Sequence, residues 1–143
     1  MTQLTEHFSL EELTHSDIAL RKGLDNTPNA ETIANLTELA LVLEQVRDLL
    51  GVSIHINSGY RSAKVNAAVG SKETSAHRQG FAADFIAPQF GDPQEICHRI
   101  MDSTIGYDQL IYEFQSWVHI SVDPRMRQMN LTIDQTGTHQ GIA

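Results

Sequence analysis

Two short apolar runs each carry one residue that an apolar core rejects. Ala82-Ala83-Asp84-Phe85-Ile86-Ala87 reads as a buried strand stopped by Pro88, with a carboxylate in its middle. Trp117-Val118-His119-Ile120-Ser121-Val122 reads as a second strand, with a single imidazole among its apolar side chains. A buried carboxylate without a partner is costly, and coordination to a divalent cation removes that cost. Upstream, Ser75-Ala76-His77-Arg78-Gln79-Gly80 supplies another imidazole. Gly80 and the β-like run after it place His77 at a loop exit and Asp84 inside a strand. Read singly, a strand histidine is ordinarily a satisfied core residue, and a strand aspartate ordinarily caps a turn or pairs with arginine. Read together, two imidazoles and one carboxylate make a candidate ligand set. Such a set suits zinc and leaves a fourth position for water, which separates a hydrolytic zinc from a structural one.

Charge and cysteine content narrow the alternatives. The chain has 143 residues and one cysteine, Cys97, so an intrachain disulfide and a four-cysteine zinc site are both excluded. Cys97 lies in an expected helix and reads as a small buried apolar residue. The formal net charge of −8 argues against a nucleic-acid partner and against adhesion to anionic surfaces through bulk charge. No run reaches the ~18 apolar residues of a membrane span. The first residues lack a basic region and an apolar stretch, so we expect no secretory signal and synthesis in the cytoplasm. The length fits one domain over residues 1–143, with a monomer as the expected state.

The longest periodic segment runs to Leu50. Ile33, Leu36, Ala40, Leu43, Val46 and Leu50 keep helical spacing, and Gly51 ends it. Thr27 and Pro28 are expected to open this helix. A short helix capped by Ser9 precedes it, with Glu12 as capping-box partner. Val52 to Asn57 alternates and reads as a strand, and Ala63 to Val69 reads as a short helix before Gly70. Residues 71–80 read as polar loop. Asp92 and Pro93 open a helix reaching about Asp102. Gln109 to Glu113 and Trp117 to Val122 form a hairpin around Gln115-Ser116, and Met129 to Ile133 is an expected edge strand. Residues 137–143 are expected to be a loose tail. Helices first and mostly antiparallel strands after give an α+β fold, with N-terminal helices packed on a sheet that carries the metal site.

Three motifs in order resemble a known family. They are Ser58-Gly59-Tyr60-Arg61-Ser62, then Ser75-x-His77-x-x-Gly80-x-x-x-Asp84, then Glu113 with Trp117-Val118-His119. This pattern resembles the zinc D-alanyl-D-alanine carboxypeptidases. That group includes phage L-alanyl-D-glutamate peptidases and shares its fold with the hedgehog signalling domain. The opening His7-Phe8-Ser9-Leu10-Glu11-Glu12-Leu13, with Asn26-Thr27-Pro28 and Ile56-Asn57-Ser58-Gly59-Tyr60-Arg61, resembles phage and prophage members. The resemblance covers about residues 5–123, leaving 124–143 as edge strand and tail.

The resemblance implies one zinc per chain on His77, Asp84 and His119. It implies that Glu113 is the general base, six positions before His119. Many relatives carry the acid three positions before the histidine, where this chain has Ser116. A two-residue turn at Gln115-Ser116 would point Glu113 and His119 to opposite faces; a bulge, which we expect, or an odd-numbered loop would bring them together. By resemblance Arg61 binds a substrate carboxylate or polarises the scissile carbonyl, against the alternative of a surface salt bridge. Ser75 contacts substrate or shapes the loop before His77. Tyr60, Tyr112 and Trp117 are candidates for the cleft wall, with core packing as the alternative. His7, His15, His55, His98 and His139 show no ligand pattern. The implied activity is hydrolysis of a peptide bond in peptidoglycan stem peptides, of endolysin or D,D-carboxypeptidase type. The implied setting is the cell wall, reached after holin release or as part of a virion. The alternative is a non-catalytic zinc module that binds murein or a protein.

Overall fold

The computed structural model describes residues 2–143. Its elements, in chain order, are α1 (Leu10–Thr14), α2 (Asp17–Lys22), α3 (Ala30–Leu50), β1 (His55–Ser58), α4 (Ala63–Ala68), a 3₁₀ turn (Ala76–Gln79), β2 (Ala82–Ile86), α5 (Pro93–Met101), β3 (Gln109–Glu113), β4 (Trp117–Ser121), β5 (Met129–Asp134) and β6 (Gly137–Gln140). The fold is α+β, with six strands in one sheet of order β1-β2-β4-β3-β5-β6.

Local chemistry sets the helix ends. The Ser9 hydroxyl accepts from the Glu12 amide and opens α1. α2 was not apparent from the residue pattern; Ser16 caps it and Gly23 closes it in the left-handed region. Asn29, rather than Thr27, caps α3, and Thr27 instead donates its amide to the Asp25 carboxylate in the preceding turn. The Gly51 amide closes α3 onto the Arg47 carbonyl. Asp92 and Glu95 form a full capping box around Pro93 at the start of α5.

The sheet buries one face against helices. Ala83, Phe85, Leu110, Val118 and Ile120 point to that side, where they meet Leu36, Leu39, Leu43 and Val46 of α3 and Ile96, Cys97 and Ile100 of α5. Strand alternation then sends Asp84, Ile111, Glu113 and His119 to the opposite face. Tyr112 goes with the core side, packed against it.

The C-terminal part differs from the expected edge strand and loose tail. β5 pairs parallel with β3 and lies inside the sheet, while β6 pairs antiparallel with β5 and forms the edge. β6 is exposed along its whole length, so its sequence carries no apolar alternation to announce it. The β3–β5 pair makes the sheet mixed; its other pairings are antiparallel.

Candidate metal centre and cleft

Asp84 and His119 are direct cross-strand partners on β2 and β4. Their side chains therefore share a face, and the His119 Nδ1 lies 2.9 Å from the Asp84 Oδ1. His77 arrives from the 3₁₀ turn rather than from extended loop. Ser75 caps that turn, accepting from the His77 amide at 3.3 Å. Gly80, at φ +80°, then swings the chain into β2. A side chain there would also press on Thr32 and Leu36 of α3, with contacts of 3.0 and 3.3 Å. His77 Nε2 ends 3.2 Å from the same Asp84 oxygen. The two imidazoles meet edge to face, with centroids 5.1 Å apart. One ligand atom from each of the three residues lies within 4.8 Å of the others.

The donor set can be tested for a cation from its own hydrogen bonds. His77 Nδ1 lies 2.8 Å from the Gly59 carbonyl, which can only accept, so that nitrogen carries the proton. Burial holds the His77 pKa down against the attraction of Asp84, which favours the neutral ring. Nε2 then presents a lone pair to a carboxylate oxygen. Burial works to raise the Asp84 pKa, but attraction and hydrogen bonding from protonated imidazoles outweigh it and hold the carboxyl ionised, well below the usual range; with the rings neutral, as metal ligands are, that compensation is lost. Two acceptors facing each other at this distance repel. A divalent cation between them converts the repulsion into coordination, so His77, Asp84 and His119 fit zinc.

Glu113 stands beside this cluster. The β3–β4 hairpin has a three-residue loop, Phe114-Gln115-Ser116, with Glu113 opposite Trp117 and Ile111 opposite His119. The loop is odd-numbered, so Glu113, Trp117 and His119 share a face. No bulge is needed. Phe114 and Gln115 make the turn at φ +52° and +58°. The Glu113 Oε1 lies 3.6 Å from His119 Nδ1, and Oε2 accepts from the Trp117 indole N–H at 3.1 Å. Burial raises the Glu113 pKa and Asp84 adds to the rise, against the pull of His119, Trp117 and Arg61.

Arg61 completes the opposite wall. Its backbone amide donates to the His77 carbonyl at 3.0 Å, which ties it to the metal-bearing turn. Its Nη2 reaches Ser75 Oγ at 3.5 Å, and its buried Nε has no hydrogen-bond partner among the described residues. Burial lowers the Arg61 pKa, while the Asp84 and Glu113 carboxylates favour its charge. Arg61 makes no salt bridge among the described residues. These residues, with Ser75 and Trp117, line a cleft of about 420 Å³.

Tyr60 does not reach the cleft. It is 7% exposed within the hydrophobic core, and its backbone is bonded to Leu13 and Asn26. Tyr112 lies on the core side of the sheet. Val69, Gly70, Ser71 and Phe114 line the cleft instead. Val69 and Phe114 are large exposed apolar side chains, and nothing in their local pattern marked them beforehand.

A sequence model of the family described as peptidase M15 matches residues 6–121. The chain belongs to the peptidase M15 family. No individually curated protein matches it. Membership makes the chain a zinc-dependent peptidase of a class that acts on peptidoglycan. The matched stretch ends at β4, so β5 and β6 lie outside it.

Proposed function

We propose that this M15 peptidase hydrolyses a peptide bond within peptidoglycan stem peptides, with His77, Asp84 and His119 as zinc ligands and Glu113 as general base. The observation that carries the proposal is the three-residue hairpin loop, which sets the Glu113 carboxylate 3.6 Å from His119 on the ligand face. Zinc bound there supplies a polarised carbonyl and an acidified water. Glu113 takes a proton at its Oε1, the oxygen on the His119 side, while Trp117 fixes Oε2. The raised pKa suits a group that accepts this proton and then returns it to the leaving amine. Arg61 lines the cleft with a part-buried guanidinium, whose planar fork of donors fits a substrate carbonyl or carboxylate. Ser75 steadies that guanidinium and caps the His77 turn.

The phage-like opening supports an endolysin-type role, with the wall reached after holin release or from a virion. The test is mass spectrometry of purified murein incubated with zinc-loaded protein. We expect new fragments whose masses and amino termini name the bond. Glu113→Gln should keep its zinc and lose a factor of roughly 10²–10⁴ in rate. Full activity in that variant removes Glu113 from the mechanism. Intact murein after incubation with zinc-replete wild-type protein favours the binding-module alternative.

A further inference from the structure

The ligand face of the sheet does not end at the metal cluster. Asp84, His119, Ile111 and Leu131 occupy one row across β2, β4, β3 and β5. A second cavity of about 440 Å³ lies along that row, and Ser71, Ser75 and His119 line it and the cleft alike. The two spaces therefore share a wall at the proposed reaction centre. Ile111, Leu131 and Ile133 give the second one an apolar floor.

Its rim is cationic in an acidic protein. Arg127 forks onto Asp108 at 2.8 and 2.9 Å, and Arg125 forks onto Asp123 at 3.0 and 3.1 Å. Each arginine is offset by its own aspartate. Lys72 lines the same cavity and makes no salt bridge among the described residues. The lining thus carries one uncompensated positive charge, although the chain as a whole is at −8.

The segment that presents the arginines is held in an unfavourable backbone conformation. Met126 and Gln128 have φ of +40° and +56°. Such strain persists only where the surroundings over-determine it, and it gathers at binding sites. Here the Gln128 side chain accepts from the Tyr107 amide and donates to the Ile105 carbonyl, and its own amide donates to the Tyr107 carbonyl. Asp108, 2% exposed, anchors Arg127 through both backbone and side chain. The rim is a built surface.

We propose that this second cavity is a substrate subsite that receives a carboxylate-bearing segment of the peptide next to the scissile bond, with Lys72 as its principal cation. The inference rests on the peptidase reading above. Lys72, Ile111 and His119 lie within the family match, whereas Arg125, Arg127, Leu131 and Ile133 lie outside it, so the cavity is walled from both. The apolar floor suits the aliphatic parts of a stem peptide, and the lysine suits its free carboxylate.

The probe is the pentapeptide L-Ala-γ-D-Glu-L-Lys-D-Ala-D-Ala. Three forms are compared: the free acid, one amidated on the internal D-Glu carboxylate and one amidated at the C-terminus. Cleavage is measured with zinc-loaded wild type and Lys72→Glu. Binding is measured by calorimetry in Glu113→Gln and in the same protein carrying Lys72→Glu. The free acid should lose about tenfold in kcat/KM and in affinity on Lys72→Glu. The amidated form that removes the recognised carboxylate should change less than about twofold, and this names which carboxylate binds. Equal losses on all three peptides, or no loss on any, overturn the subsite while leaving the peptidase reading intact. A wild-type protein that neither cleaves nor binds any of the three overturns both.

Discussion

Gly59 is the position where fold and metal centre are most tightly joined, and Gly59→Ala tests that joint. A Cβ at Gly59 would sit 2.3 Å from the Leu13 carbonyl oxygen and 3.0 Å from its carbon. Those atoms are backbone at the end of α1 and cannot swing aside. The approach must open by about 1 Å to reach ordinary contact. Opening it strains the bond from the Tyr60 amide to Leu13 O, now 2.8 Å. Overpacking of this kind costs about 1–3 kcal/mol, and a lost backbone hydrogen bond about 0.5–1.5 kcal/mol. The sum, about 2–4 kcal/mol, corresponds to a fall in Tm of roughly 6–15 °C at this chain length. The same residue's carbonyl receives the His77 Nδ1 proton. Displacing it loosens the ring orientation, a change worth about 10–100-fold in metal affinity. Each tenfold loss removes about 1.4 kcal/mol from the stabilisation that saturating zinc confers. The assay is thermal unfolding of chelated and zinc-loaded protein, alongside Gly51→Ala. Gly51 has φ +71° and nothing within 4 Å of its Cβ position, so its substitution should cost about 1–2 kcal/mol and leave the zinc increment unchanged. An unchanged Tm for chelated Gly59→Ala refutes the close-approach reasoning. A lower Tm with a full zinc increment refutes the tie between Gly59 and His77.

Three further outcomes are expected. His77→Ala should fall well below one zinc per chain by elemental analysis, and wild-type stoichiometry would sink the ligand assignment. Arg61→Lys keeps the charge and loses the planar fork, so kcat/KM should drop about tenfold or more with zinc retained; unchanged kinetics would return Arg61 to a structural role. The hydrogen bonds from Arg127 hold the Asp108 pKa below its ordinary value, so its contribution to stability is full above the unfolded carboxylate pKa and is lost as pH falls through the lower folded one. Chemical denaturation should therefore show wild type more stable than Asp108→Asn at neutral pH, with the gap closing in acid; a gap independent of pH would contradict this.

What could be read from the sequence was what is locally over-determined. α3 declares itself through a long apolar stripe, and Asp84 and His119 through being polar in runs that otherwise belong in a core. α2 had a cap at Ser16 and a stop at Gly23, but its six residues carry little apolar pattern, and Leu20 is 73% exposed. β6 exists because β5 offers it an edge to pair with, so its residues alone do not specify it. The parallel β3–β5 pairing is likewise non-local, made across the whole β4 excursion. Tyr60 shows the reverse failure. Its neighbours Gly59 and Arg61 both belong to the site, yet its own side chain alternates into the core.

The hairpin between Glu113 and Trp117 shows how much function can hang on a feature that residue propensity does not reveal. Gln115-Ser116 invites a two-residue turn, and that register would have sent Glu113 through the sheet to the core side. The chain instead spends three residues, two of them non-glycine at positive φ, a conformation disfavoured for both Phe and Gln. Three tertiary contacts stabilise it. The Phe114 amide donates to Ile133 O on β5, the Phe114 ring packs at 5.7 Å from Trp117, and the Trp117 indole bonds Glu113 itself. The strand that fixes the loop is thus β5, which lies outside the family match and also floors the second cavity. Placement of the proposed base and recognition of the substrate segment therefore depend on the same C-terminal strand. A deletion after residue 123 should impair both while leaving His77, Asp84 and His119 on their own elements. Zinc bound by such a truncated protein, with cleavage lost, is the expected result. Full cleavage of murein by it would show that the loop keeps its register without β5.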